Sequence, residues 1–366
     1  DTAPGDQEIL PLDLSSVFEA FDADGDSVVL DSAVTINVQD DVPENNSKEA
    51  LRYQVNEDAL DRPGDLSDGN DDRFDRETAF IGNISLASRV SVGADEFVRF
   101  EFNDAATLTG SPVTRPDGTP ITSQGDTVTY VYVSPTQVNG VAGDPARVVF
   151  EVRKVSGGFQ FDLDDQIDHP VPTEGNESPG DTETLPLDLS SIFEAFDSDG
   201  DSVVLETAVT INVQDDVPIN NDADAIVVKV NEDALTSGDD LSEGNDDAGQ
   251  SKTADIDYTA LSATVSVGAD EEVRFELNDD AALNGTAVKT VGNVAVTSNG
   301  DAVTYQYVAA VAGTPGTPAM IQGVAGDPAR VVFTLESNGN GGFTALTSLP
   351  NGQADQNSGN DGQQSN

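Results

Sequence analysis

The stretch "LDLSSVFEAFDADGDSVVL" (residues 12–30) returns as "LDLSSIFEAFDSDGDSVVL" (residues 187–205), an offset of 175 residues. Each copy sets three aspartates at alternate positions around one glycine, directly before an apolar run. These are Asp22, Asp24 and Asp26 in the first copy and Asp197, Asp199 and Asp201 in the second. The same offset relates "INVQDDVP" from Ile36 and Ile211, "VNEDAL" from Val55 and Val230, and "VSVGADE" from Val90 and Val265. "VAGDPARVVF" from Val141 returns 183 residues later, from Val324. The second copy therefore carries a short insertion, placed in the Gly- and Pro-containing "AAVAGTPGTPAM" (309–320).

The chain is thus two copies of one unit. "VQDDVP" reads as the seam, because a strand and two carboxylates are followed by a proline that stops pairing. On that reading residues 1–43 are the last strands of a preceding or partner-completed repeat. Residues 44–218 are a complete repeat, and residues 219–366 are a second repeat lacking its final strands.

The local pattern is strand throughout. "VRFEF" (98–102), "TVTYVYV" (127–133), "RVVFEVRK" (147–154) and "FQFDL" (159–163) alternate or nearly alternate and are rich in Val, Thr, Tyr and Phe. "SQGD", "SNGD" and "SGG" supply turns between strands. "SSVFEAF" (15–21) is the one short helical candidate. Many short strands at this spacing predict an all-β fold of tandem Ig-like, elaborated β-sandwich domains. With a proline at each seam, the sandwiches are expected to lie end to end.

Lys and Arg total 16 against 68 Asp and Glu, for a formal net charge of -52. Nucleic acid needs basic side chains to displace its counterions, so it is not an expected partner. An anionic membrane surface is not an expected partner on the same ground, and no apolar run is long enough for a spanning helix. Repulsion of this size destabilises a compact state unless cations or salt relieve it. The 37% of hydrophobic residues fall in ordered runs, which argues against disorder. There is no cysteine, so disulfides and thiolate metal sites are absent and metal is the natural staple. Asp1 begins neither with an initiator Met nor with a signal peptide, which reads as a processed chain or an internal segment.

Carboxylates at alternate positions with a glycine resemble the first ligands of a calcium loop, since calcium takes six to eight oxygens. The match to an EF-hand is partial: Gly25 comes early, and no bidentate Glu follows. An ordinary acidic turn would show the same residue types; repetition in two copies favours the cation. More acids flank the seam: Asp40, Asp41, Glu57 and Asp58, repeated as Asp215, Asp216, Glu232 and Asp233. "LSDGNDD" (66–72) and "LSEGNDD" (241–247) follow shortly after. Acids on both sides of a linker are what a shared cation needs to lock two domains together, although Asp also favours turns for its own sake. "SVGADE" reads as a turn.

Catalysis finds little support. The single histidine, His169 in "IDHPVP", has no counterpart in the second copy and reads as a surface or seam residue. Without cysteine the common nucleophile–base dyads are nearly excluded. Paired acids also serve glycosidases, but these acids sit in turns, aromatics are 6% and Trp is absent.

"DADGDSVVL" followed by "INVQDDVP", with "DDQIDHP" upstream of the second instance, resembles the tandem extender repeats of giant type I-secreted RTX adhesins. The resemblance covers both copies. It implies β-sandwich modules strung end to end at the bacterial cell surface, with calcium at loops and junctions, holding a binding tip away from the cell. Asp22, Asp24, Asp26, Asp40 and Asp41, with Asp197, Asp199, Asp201, Asp215 and Asp216, are the matching positions. The family's glycine-aspartate nonapeptides and secretion signal are not in this sequence, as in an internal segment.

The expectation is a non-enzymatic, calcium-rigidified stalk repeat of an extracellular adhesin or surface fibre. Its partners are neighbouring copies of the same repeat, in the same chain or in adjacent subunits. One alternative is a self-assembling filament subunit, in which one chain completes the next by strand addition. Another is a carbohydrate-binding module.

Overall fold

The chain is all-β, as the alternating runs predict. The computed structural model describes residues 9–46, 48–70, 76–95, 98–104, 106–170, 183–221, 224–236, 243–245, 250–270, 273–279, 281–311 and 317–347. Among these, the α-helices are the single-turn segments Asn83–Ala87 and Tyr258–Ser262. No helix is long and apolar enough to cross a membrane. The chain divides into two compact units. One holds Asp1–Pro218 with Val267–Glu271; the other holds Ile219–Ser266 and Glu272–Asn366.

The first unit is built on a five-stranded antiparallel sheet. Its order is Thr129–Ser134, Gln137–Ala142, Arg147–Val155, Gly158–Leu163 and Thr78–Gly82. Branched and aromatic side chains suit such a pleated, half-buried surface. Phe150, Val152, Phe159 and Phe161 are wholly buried on its inner face. At Gly140 the ring of Phe150 occupies the space a side chain would need. The register shifts immediately after it, between Gly140 and Val141, as at a β-bulge.

Two three-stranded sheets complete this core. Thr184–Asp188 pairs antiparallel with Val209–Gln214, which pairs parallel with Leu51–Asn56. Arg99–Phe102 pairs antiparallel with Phe193–Phe196, which pairs with Ser202–Val204. Residues 184–214 thus supply strands to both sheets, and each sheet gains its third strand from early in the unit. Phe102, Phe159 and Phe193 pack ring against ring, with centroids 4.9 to 6.1 Å apart. Tyr130 is buried on the large sheet and donates its hydroxyl to the Asp188 carbonyl at 2.9 Å. All three sheets share one apolar core, an arrangement consistent with the expected β-sandwich.

The same hairpins recur near the N-terminus in the same register. Ile9–Asp13 pairs with Thr35–Gln39, and Glu19–Phe21 with Ser27–Val29. Neither pair is joined by a third strand among the described residues. Phe18 is 47% exposed, whereas its counterpart Phe193 is 0% exposed. The helix expected over residues 15–21 does not form: Ser15–Val17 is one 3-10 turn, and Glu19–Phe21 is a strand. Local hydrogen bonds outcompete the helix. Asp13 Oδ1 accepts from the Ser15 N–H at 2.9 Å, and Ser15 Oγ accepts from the N–H of Ala33 and Val34.

The second unit repeats the large sheet, in the order Thr253–Ile256, Phe343–Thr347, Arg330–Ser337, Met320–Ala325, Asp301–Val308 and Thr297–Ser298. The insertion lies where expected: the link between Ser134 and Gln137 becomes the link between Val308 and Met320. Its buried cluster is thin, formed by Val288, Val303, Ala325 and Val332. Residues 226–230 and 273–277 correspond to the 51–55 and 98–102 segments, yet they belong to no strand, and Val227 is 89% exposed.

Identical residues in the two copies therefore carry different loads. Phe193→Ala is expected to cost the first unit about 3–5 kcal/mol. Its counterpart Phe18→Ala should change the stability of that unit by no more than about 0.5 kcal/mol. Urea titrations of both variants check this, and equal losses would contradict the packing described.

Candidate metal centres

The turn at Asp22 closes the short hairpin of Glu19–Phe21 and Ser27–Val29. Asp22 Oδ1 accepts from the backbone N–H of Gly25 at 3.0 Å and of Asp26 at 2.9 Å, and the Asp22 N–H donates to the Asp26 carbonyl at 3.0 Å. Gly25 takes φ +102°, a conformation that favours glycine. The result gathers one carboxylate oxygen from each of Asp22, Asp24 and Asp26 within 4.8 Å, on an exposed surface. A hydrogen bond from Asp24, with the backbone donors, holds the Asp22 carboxyl below its ordinary value.

The second copy of this turn behaves differently because it is packed. Asp197 is 0% exposed and Asp201 5% exposed. Each carries a buried Oδ2 with no hydrogen-bond partner. Asp197 Oδ1 accepts from the Gly200 N–H at 3.1 Å. Asp199 and Asp201 gather not with Asp197 but with Asp40, the three offering oxygens within 4.8 Å of one another. Asp40 and Asp199 also line a cleft of about 280 Å³ with Ile9, Leu10 and Val38. Burial raises Asp201 to about 6, helped by its hydrogen bond with Asp40 and by the charges of Asp197 and Asp199. Burial, then Asp199, raises Asp197 as well. One motif thus lowers the Asp22 carboxyl on an exposed turn and raises Asp197 and Asp201 on a packed one.

The seam acids divide by role. Asp41 Oδ2 accepts from the Ala94 N–H at 2.9 Å, and Asp216 Oδ2 from the Ala269 N–H at 2.8 Å, each partner 53 residues on. These carboxylates cap the 3-10 turns Gly93–Asp95 and Gly268–Asp270 of the "SVGADE" segments. A Cβ at Gly93 or Gly268 would overlap the capping carboxylate. Asn70 Nδ2 donates to Asp216 Oδ1 at 2.7 Å. Asp216 is therefore spent on backbone and amide donors.

Asp215 instead joins Glu57 and His169. His169 Nε2 lies 3.5 Å from Glu57 Oε2 and 4.0 Å from Asp215 Oδ1, and the imidazole is 6% exposed. Glu57 is fully buried, and its Oε1 accepts from the Ile167 N–H at 2.6 Å. The His169 imidazole is thus enclosed between two acids of the seam segments, in keeping with the seam reading rather than the surface one, and sequence reasoning did not name it as a possible ligand. The signal was there: the one histidine of a chain with 68 acids stands where "DHP" approaches a seam.

The remaining predicted ligands stand apart from these groups among the described residues. Asp58 and Asp233 donate their backbone N–H to Asn56 and Asn231 at 3.1 and 3.0 Å, opening the 3-10 turns that also hold Glu57 and Glu232. Asp71, Asp72, Asp246 and Asp247 of the "GNDD" segments lie outside the described residues.

A fourth acidic region has a mixed lining. A cleft of about 570 Å³ is walled by Arg62, Arg147 and Arg153 together with Asp65, Asp162 and Asp164. Glu77 nearby pairs with Arg62, yet burial and then Asp65 push it up to about 7. Burial and then Asp162 push Asp164 to about 7 also.

The three carboxylate groups are able to hold a metal ion, and their all-oxygen or oxygen-plus-imidazole composition favours a hard or borderline divalent cation. No protein-family model, curated protein or solved structure matches the chain.

Two expectations follow. Asp201, Glu77 and Asp164 hold their protons to about 6, 7 and 7, against ordinary values of 3.8, 4.5 and 3.8. Each binds its proton more tightly folded than unfolded, so the stability this gives is present below about pH 4 and lost as pH rises through 6 to 7. Metal-free protein at constant low salt should show a higher urea midpoint at pH 5 than at pH 8; the reverse order would overturn these assignments. Gly93→Ala, which forces a side chain into the Asp41 carboxylate at φ +64°, should destabilise the first unit by about 1–3 kcal/mol by thermal melt.

Proposed function

We propose that this chain is a calcium-rigidified structural repeat of an extracellular bacterial adhesin or surface fibre, similar in kind to the extender modules of RTX adhesins. The observation that carries the reading is the second Asp-Gly-Asp turn. There Asp199 and Asp201 meet Asp40, and buried oxygens of Asp197 and Asp201 have no protein donor. A buried carboxylate oxygen without a donor is costly, and a hard cation bound there would remove the cost. Asp40 ends the Thr35–Gln39 strand, whereas Asp199 and Asp201 lie in a turn distant in sequence. A cation bound by all three would tie these two parts of the chain together. Binding energy would then become folding and stiffening energy.

The function is mechanical and needs no reacting group. The same acids repel when calcium is low, so the chain stays loose before export and stiffens outside the cell. Neighbouring repeats are the partners on this reading, and the acidic surface keeps the fibre soluble.

Calcium at a hundredfold excess over its Kd should stabilise each site by about 2.7 kcal/mol. Melts in calcium, in chelator and in sodium chloride of matched ionic strength test this. A midpoint raised equally by salt would sink the proposal. Because calcium binds the ionised carboxylates, its effect should be larger at pH 8 than at pH 5. Asp201→Asn should make the chelated protein more stable, by removing a buried charge, while calorimetry loses one bound calcium. Full stoichiometry in that variant would reject the site.

A further inference from the structure

We infer that Glu57, His169 and Asp215 form a site for a borderline divalent cation of the zinc type, different in chemistry from the all-oxygen groups proposed for calcium. The inference does not rest on the calcium reading. All three residues lie within the first unit.

The backbone brings them together for separate reasons. Leu51–Asn56 and Val209–Gln214 are parallel neighbours, and their register ends with Asn56 opposite Gln214. Glu57 and Asp215 are the residues that follow, so both carboxylates leave from the same end of the sheet. In an antiparallel pair the two following residues would lie at opposite ends. His169 arrives from the large sheet, shortly after the strand Gly158–Leu163. Its approach is pinned on several sides. The Ile167 N–H donates to Glu57 Oε1 at 2.6 Å, and the Asp168 N–H to the Thr122 carbonyl at 2.8 Å. Asp168 Oδ2 accepts from the Gly125 N–H at 2.8 Å. The bond at Oε1 orients the Glu57 carboxylate with Oε2 toward the imidazole, the kind of support that metal-binding carboxylates have.

The donor set decides the cation. Calcium takes six to eight oxygens, whereas imidazole suits zinc and its neighbours. Ligands about 2.0–2.1 Å from a tetrahedral zinc stand roughly 3.3 Å apart. His169 Nε2 stands 3.5 Å from Glu57 Oε2 and 4.0 Å from Asp215 Oδ1, so a small contraction makes the shell. Three protein ligands and a water complete a zinc sphere. Two carboxylates and a neutral imidazole also balance a divalent charge, which suits a site where Glu57 is fully buried and His169 nearly so. Asp40, the repeat counterpart of Asp215, gathers instead with Asp199 and Asp201. One repeat position thus serves an all-oxygen group in one copy and a nitrogen-containing group in the other. A bound ion would fasten the large sheet to the sheet that holds Leu51–Asn56.

The single histidine makes the test direct, because one imidazole gives one set of ring signals in NMR. The 366-residue chain is titrated with zinc in millimolar calcium, which competes for exposed carboxylates. Zinc should be retained through dialysis at one ion per chain, the His169 ring signals should move, and the thermal midpoint should rise. His169→Gln should bind zinc about a hundredfold more weakly or worse, at or beyond what loss of an outer-shell partner costs. Its midpoint should not respond to zinc, each variant being compared with its own chelated form. Asp215→Asn, a milder change that keeps the imidazole signal, should also weaken zinc binding, whereas Asp24→Asn on the exposed turn should not. Zinc that calcium displaces, that binds His169→Gln as tightly, or that leaves the ring signals unmoved is held by carboxylates alone, and each of these results would overturn the proposal. A chain that retains no zinc would overturn it too, leaving His169 as an ion-pair partner of two acids. Calcium bound at Asp199 and Asp201 is measured separately by calorimetry, so failure of the calcium reading and failure of this one are told apart.

Discussion

A β-strand with a bare edge is unfinished, and the structure turns on how that edge is filled. In the first unit the filling comes from residues 184–214, which pair with Leu51–Asn56 on one side and Arg99–Phe102 on the other. This late segment carries Phe193 into the ring cluster of Phe102 and Phe159 and sets Asp188 against Tyr130. Where the segment is docked, the core extends through three sheets. In the second unit, whose counterpart edges lack strand partners among the described residues, the buried cluster among those residues is the small one of Val288, Val303, Ala325 and Val332. The sheet sequences differ too: buried Phe161 and Leu163 of the first unit align with Ala345 and Thr347 of the second, which also thins its core.

Electrostatics follows from that packing. An aspartate in water ionises and repels its neighbours weakly, whereas one in a core keeps its proton or finds a cation. Asp22 and Asp197 occupy equivalent positions, but their carboxyls shift in opposite directions because only Asp197 is buried. The packing of residues 184–214 into the core is therefore also what buries and raises Asp197 and Asp201. The packing of the core and the grouping of these acids are linked through one segment.

The seam acids show how one residue type divides among tasks. Asp41 and Asp216 hold backbone N–H groups of the "SVGADE" turns, which is why glycine stands at positions 93 and 268. Asp40 and Asp215, one residue earlier, face other groups and join clusters. Adjacent strand-end residues point to opposite sides, so one of the pair can cap a turn while the other offers oxygens elsewhere.

Much was legible in the order of residues alone. The repeat, the all-β class, the chief strands and the insertion follow from self-similarity and period-two alternation, because backbone pleating ties side-chain polarity directly to sequence. The acidic triplets were visible for the same reason: their spacing is local. What local spacing could not convey is which distant segment covers which. The grouping of Asp40 with Asp199 and Asp201, the burial of His169 between Glu57 and Asp215, and the capping of "SVGADE" each join residues far apart in the chain. Nor could it foretell that "SSVFEAF" would surrender its helix to Asp13 and Ser15 and to a hairpin partner. Sequence determined the elements and their chemistry, since these depend on neighbours along the chain. Tertiary structure alone decided that one copy of the same residues is core and the other surface, since burial depends on the presence of a partner edge.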